Sequence, residues 1–215
     1  DSEATFYYSD EYFYGSSYVR NNSLATMSLC LAMSAFASKE KSVPYAEKSR
    51  NARDLLEKIG FLDFEVNEFY TKKPETNTIG VVAANKEIEV EDKPYTLLAV
   101  AVRGGGYESE WSGNFNLGKT GQHAGFTIAR DEVLRFIKEY IKKHNISGDI
   151  KLWITGFSRA AATTNLVAGE INALIGRGDS LGNNTKLKPF DLYAYCFATP
   201  RGTLYNPGYL NIHNT

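Results

Sequence analysis

KLWITGFSRAAA, residues 151–162, sets an apolar run against a run of small residues, with one serine between them. Leu152-Trp153-Ile154 reads as a buried strand, Thr155 to Ala160 as a sharp turn, and the alanines that follow as the start of a helix. A strand that turns directly into a helix brings the two backbones together, so the residues two before and two after the apex must be small. Gly156 and Ala160 meet that requirement around Ser158, and Ala161 and Ala162 extend the close contact. Behind the serine, a helix N-terminus supplies unpaired N–H groups and a positive dipole end, where developing negative charge is stabilised. An ordinary strand-to-helix turn with a solvated serine contains the same residues. The strand–turn–helix context is what favours a reactive serine over it.

The 215 residues suit one domain with a sizeable core. A net charge of −1 gives no electrostatic case for nucleic acid or an anionic membrane surface. No apolar run reaches the ~18 residues of a transmembrane helix; the longest, near Leu24 to Ala37, is interrupted by serines. The chain opens on Asp1-Ser2-Glu3, without initiator methionine or signal peptide, so a mature or trimmed form is expected. Cys30 and Cys196 lie in apolar surroundings and read as small buried hydrophobes. No Cys/His spacing resembles a metal site, and neither a metal nor a cofactor is expected. The 14 tyrosines and 12 phenylalanines suit either a large core or an apolar pocket.

Residues 1–20 carry aromatics without a clear period and read as an extended arm packed over the fold or lining a binding surface. Asn21-Asn22-Ser23 caps a helix from Leu24 to about Ala37, apolar nearly all round and therefore expected to be buried. A second, amphipathic helix opens at Val43-Pro44 and runs to Ile59, with Gly60 as its C′ residue. Strands follow: Ile79 to Ala84, Ile88 to Val90, and, after a turn at Asp92-Lys93-Pro94, Tyr95 to Val102. That last strand ends in Arg103-Gly104-Gly105-Gly106, which reads as a flexible turn or a phosphate cradle; no Lys-Ser/Thr follows, which argues against a P-loop. Phe126 to His144 has helical periodicity, and another helix runs from Ser158 to about Ile175. Gly176 to Leu187 reads as a loop, Asp191 to Thr199 as a strand, and Tyr209 to His213 as the start of one more. Strands alternating with helices predict an α/β fold with a mostly parallel central sheet. One domain spans 1–215: an aromatic arm and helical preface over 1–78, and a sheet core over 79–215.

Taken together, these stretches resemble the class-three, fungal-type lipase family of α/β hydrolases. Ala101-Val102-Arg103-Gly104-Gly105 stands where the family has a strand leading into Phe-Arg-Gly-Ser/Thr. Glu110 to Phe115 stands for its tryptophan loop, and His123-Ala124-Gly125-Phe126 for its His-x-Gly-Phe element. Gly156 to Ala162 loosely matches its elbow Gly-His-Ser-Leu-Gly-Gly-Ala, and Phe197 to Arg201 its Gly-x-Pro-Arg. The sequence departs at Phe157 for histidine, Arg159 for a hydrophobe, Ala160 for glycine, and Gly105 for a hydroxyl residue, which marks a divergent, bacterial-type branch.

The resemblance implies Ser158 as nucleophile, with the backbone N–H groups of Gly105 and Arg159 as the oxyanion hole. A serine needs a histidine base oriented by a carboxylate, in the chain order serine, acid, histidine. His123 and His144 precede Ser158; the first reads as structural and the second as a surface residue at a helix C-terminus. His213 lies inside a strand. Glu170, Asp179 and Asp191 are no better placed as the acid, and the resemblance puts both acid and base beyond Thr215. Tyr107 to Leu117 reads equally as a lid or as a packed loop held by Trp111. The expected function is hydrolysis of carboxylic esters, most plausibly acylglycerols, on a lipid or small ester substrate and with interfacial contact with lipid. Such an activity is compatible with secretion or the cell surface. The alternative is a non-catalytic lipase-like module that binds ligands or scaffolds other proteins. On this reading the 215 residues by themselves fold poorly or are nearly inactive.

Overall fold

The computed structural model describes residues 5–36, 44, 47–71, 79–104, 124–201, 203 and 208–215. Six strands line up in chain order: β1 Leu62–Val66, β2 Val81–Val90, β3 Lys93–Val102, β4 Gly148–Phe157, β5 Thr185–Phe197 and β6 Ile212–Asn214. The pairs β1/β2 and β2/β3 are antiparallel, while β3 to β6 run parallel. The mostly parallel sheet expected from the sequence is thus a mixed one.

The reason lies in the connections. Between β2 and β3 only Glu91 and Asp92 intervene, with φ of 52° and 60°. Two successive positive-φ residues make the tight hairpin whose twist matches the flanking strands, and so short a link joins only antiparallel neighbours. The runs read as Ile79 to Ala84 and Ile88 to Val90 therefore fall on one continuous strand that begins at Val81, and Pro94 sits inside β3 opposite Glu89 rather than in the turn. Parallel neighbours need a crossover. Helix α4, Ala124–Lys143, lies between β3 and β4 in the chain, and α5, Arg159–Gly176, lies between β4 and β5. β1 and the short α3, Glu68–Thr71, fall within the stretch read as a helical preface.

Side chains alternate cleanly along the central strands. Leu98, Val100, Leu152 and Ile154 face α4 and α5 on one side of the sheet. Leu97, Ala99, Ala101 and Trp153 face α1, Asn22–Ser34, and α2, Arg50–Lys58, on the other. With both faces covered, residues 97–102 of β3 and 152–154 of β4 are unbroken apolar runs, the pattern of a doubly buried strand.

α1 starts at Asn21, whose side chain accepts from the Leu24 N–H at 3.0 Å. It buries Leu24, Met27 and Leu31 but leaves Leu29 and Met33 exposed, so it is covered on one face rather than all round. The second helix begins later than its periodicity suggests, at Arg50, and Gly60 follows it at φ 86°. The aromatic arm does pack over the sheet. It forms a 3-10 turn at Asp10–Phe13, and the buried Phe13 ring lies 5.2 Å from Tyr193 and 5.5 Å from Trp153. Cys196 is buried and Cys30 half-buried, both as free thiols. No helix among the described residues is long and apolar enough to cross a membrane.

Candidate active site

β4 ends at Phe157 and α5 begins at Arg159, so Ser158 alone makes the turn. Its backbone sits at φ 57°, ψ −125°. An L-residue reaches that region only under strain of about 1–3 kcal/mol, and holds it only where its surroundings impose it. Those surroundings are visible. The Ser158 N–H donates to the Phe197 carbonyl at 2.9 Å, which ties the apex to the end of β5. Its own carbonyl accepts from Ala161 at 2.8 Å and Ala162 at 3.2 Å.

Gly156 explains the demand for small residues. A Cβ there would come within 2.6 Å of both the Ala160 carbonyl oxygen and Thr164 Oγ1. Ala160 is itself fully buried. Serine at a helix N-cap ordinarily turns its hydroxyl onto the next N–H groups. Here the Ser158 hydroxyl makes no such bond, and the residue is exposed. The apex therefore presents an uncapped hydroxyl to solvent at the positive end of α5. Arg159, the nominated oxyanion donor, opens that helix with its side chain buried.

The titratable residues weighed as partners are engaged elsewhere. Asp191 forms a buried ion pair with Lys151, whose Nζ also lies 3.4 Å from the Tyr193 hydroxyl and 4.7 Å from the centre of the Tyr95 ring. Lys151 precedes Ser158 by seven residues of extended chain, roughly 20 Å at the rise of a strand. Glu170 and Asp179 both contact Arg177, at 3.4 and 3.2 Å. His144 is half-buried rather than on the surface. It packs on the Tyr140 ring at 4.4 Å, with Glu65 and Asp63 at 3.4 and 3.8 Å.

His213 pairs with Tyr195 across β5 and β6. Its Nε2 lies 2.9 Å from the Ser17 carbonyl and its ring 4.9 Å from that of Tyr195. Burial lowers its pKa below the ordinary 6.5, with the Ser17 carbonyl opposing and the Arg20 charge assisting. Among the described residues, no group of three or more His, Cys, Asp or Glu could hold a metal ion.

Gly105, Trp111, His123 and the Tyr107 to Leu117 loop lie outside the described residues. Gly104 is described, and it reveals a neighbour that periodicity does not single out. A Cβ on Gly104 would overlap the Phe36 ring, reaching 2.8 Å from one ring carbon and 2.9 Å from another. The same ring stands edge to face with Phe157 at 6.0 Å. The sequence reading places Phe36 inside a helix running to about Ala37, whereas α1 ends at Ser34 and Phe36 lies just past its C-cap, Ala35.

No family model and no curated protein matches the chain. Among solved structures, the chain is similar to one described as the crystal structure of M37 lipase, with a TM-score of 0.46 and 16% sequence identity. The alignment covers 83% of this chain and 60% of that one, so the chain spans less than two thirds of that lipase.

Proposed function

We propose that this chain is a serine hydrolase of carboxylic esters, with Ser158 as its nucleophile. The observation that carries the reading is the strained apex: a serine held at φ 57° between a buried strand and a helix, exposed and uncapped. Functional turns are where strain of that kind accumulates. In the proposed reaction the Ser158 hydroxyl loses its proton to a histidine base as Oγ adds to the ester carbonyl. The carbonyl oxygen becomes an oxyanion, stabilised by the backbone N–H groups of Arg159 and Gly105. Collapse expels the alcohol, which takes up the proton, and leaves an acyl-enzyme. Water then hydrolyses the acyl-enzyme to free acid and regenerated serine. Acylglycerols are the favoured esters because the motif set resembles that of the class-three lipases, and contact with a lipid interface would follow from that substrate.

A fluorophosphonate probe on the full-length protein tests the assignment. Ser158 should carry the label, and Ser158→Ala should abolish both label and ester turnover. Labelling that survives the substitution would refute Ser158. A folded wild-type protein that takes no label would instead favour the non-catalytic module.

A further inference from the structure

We propose that Phe36 sets the acyl-chain length of this hydrolysis: with Phe157 it walls the acyl-binding space beside Ser158 and limits the substrate to esters of short-chain acids, short-chain acylglycerols among them. The inference rests on the serine-hydrolase reading above and names the substrate class for that same site.

Strand register puts the ring beside the apex. Val102 pairs with Gly156 in parallel register, and Gly104 and Ser158 each lie two residues further along the chain. Neighbouring strands stand about 4.8 Å apart, so a ring packed on Gly104 is within side-chain reach of a group bound at Ser158. Phe36 occupies the space where a Gly104 Cβ would stand. Its ring also meets that of Phe157, the residue before Ser158, at 6.0 Å with the planes at 64°. On the β5 side the Ser158 N–H donates to the Phe197 carbonyl, and the next residue, Ala198, is small and exposed. The flanking strands thus bring small residues to the serine, while the α1 side brings two aromatic rings. The N-terminus of α5 offers N–H groups to an ester's oxygen, and the rings offer an apolar surface to its hydrocarbon.

Phe36 also closes a path. Its N–H donates to the Met33 carbonyl at 3.2 Å, which continues the last turn of α1. Leu29, Met33 and Phe36 recur at steps of four and three and so share one side of that helix. Leu29 and Met33 are exposed. α1 runs toward the apex, since Ser28 meets Trp153 and Thr155 while Phe36 meets Phe157. The ring therefore stands between Ser158 and an apolar stripe along α1, the surface that a longer acyl chain would need to reach.

Hydrolysis of nitrophenyl acetate, butyrate, octanoate and laurate by the full-length protein tests the proposal, with kcat/KM for each ester, fluorophosphonate labelling of Ser158, and thermal melts. Wild type should prefer butyrate to octanoate by about 10²-fold or more, because a pocket that refuses a methylene discriminates by roughly 10–200-fold. Phe36→Ala opens the path and should bring octanoate to within about tenfold of butyrate. Phe36→Leu, a smaller disturbance to folding, should move the preference the same way by a smaller step. Met33→Glu in the Phe36→Ala background should reverse the octanoate gain, because it places a charge on the stripe. Wild type that favours laurate overturns the proposal. So do Phe36 variants that slow every ester by the same factor, which would make the ring a packing residue alone. If wild type labels at Ser158 and turns over while the chain-length profile ignores Phe36, only this role falls. If wild type neither labels nor turns over any ester, the hydrolase reading falls and this inference falls with it.

Discussion

Trp153 Nε1 donates a hydrogen bond to Ser28 Oγ at 2.7 Å, joining the central strand to the first helix through two fully buried side chains. Thr155 Oγ1, two residues on, lies 3.1 Å from the Ser28 carbonyl and 2.9 Å from that of Tyr195. One serine thus sets where α1 sits along β4, and with it the placement of Phe36.

Ser28→Ala should destabilise the fold by about 1–3 kcal/mol, because it strands a buried indole N–H. For a domain of this length that corresponds to roughly 2–4 °C in Tm per kcal/mol. Ser28→Thr keeps the hydroxyl and should recover part of the loss. A Ser28→Ala melt that coincides with wild type would show that the indole finds another acceptor.

The Lys151–Asp191 pair is buried on both sides, with side-chain exposures of 4% and 3%. Lys151→Met leaves a lone carboxylate among the aromatic rings and should cost about 3–5 kcal/mol in urea unfolding. The double variant Lys151→Met/Asp191→Leu removes both charges and should regain most of that. Equal losses in the single and double variants would contradict the pairing.

Two glycines near and within α5 should respond in opposite directions. Gly156→Ala places a methyl group 2.6 Å from the Ala160 carbonyl oxygen and should cost roughly 1–3 kcal/mol or more. Gly169 has open space around its Cα and lies inside the helix, so Gly169→Ala should stabilise by about 0.5–1 kcal/mol. Chemical denaturation midpoints of the two variants decide this: a Gly156→Ala midpoint at or above wild type would contradict the close approach at Gly156, and a Gly169→Ala midpoint below wild type would contradict the open space at Gly169.

His213 should make stability pH-dependent on the mildly acidic side. Its pKa in the fold lies below 6.5, chiefly because burial penalises the imidazolium. The unfolded chain therefore takes up the proton first as pH falls. Stability should decline from about pH 6.5 downward, through the folded-state pKa, and be regained as pH rises. His213→Gln removes the titration, so its melting temperature should fall less between about pH 7.5 and 5.5 than that of wild type. Identical slopes would exclude His213 as the source.

Much of this architecture is local and therefore legible in the chain. Two apolar runs, Tyr95 to Val102 and Leu152 to Ile154, mark strands buried on both faces, and Val133, Phe136, Ile137, Tyr140 and Ile141 mark the buried face of α4. The small residues around Ser158 announce a close backbone approach, and Gly156 meets its neighbours at the contact distance such a turn requires. β1 was harder to see: Leu62 to Val66 is short, lies at the sheet edge with Leu62 exposed, and has no strong alternation to read.

The sequence by itself determined where strands and helices alternate and which serine stands at the turn, because periodicity and residue size act over a few neighbouring residues. Tertiary structure alone decided who meets whom. Asp191 is taken by Lys151, 40 residues away, and the His213 ring by the Ser17 carbonyl, 196 residues away. It also decided that two of the five strand pairs, β1/β2 and β2/β3, run antiparallel, and that Phe36 closes on Gly104. Such pairings depend on strand register and helix placement, and no local pattern encodes a contact made only once the sheet has assembled.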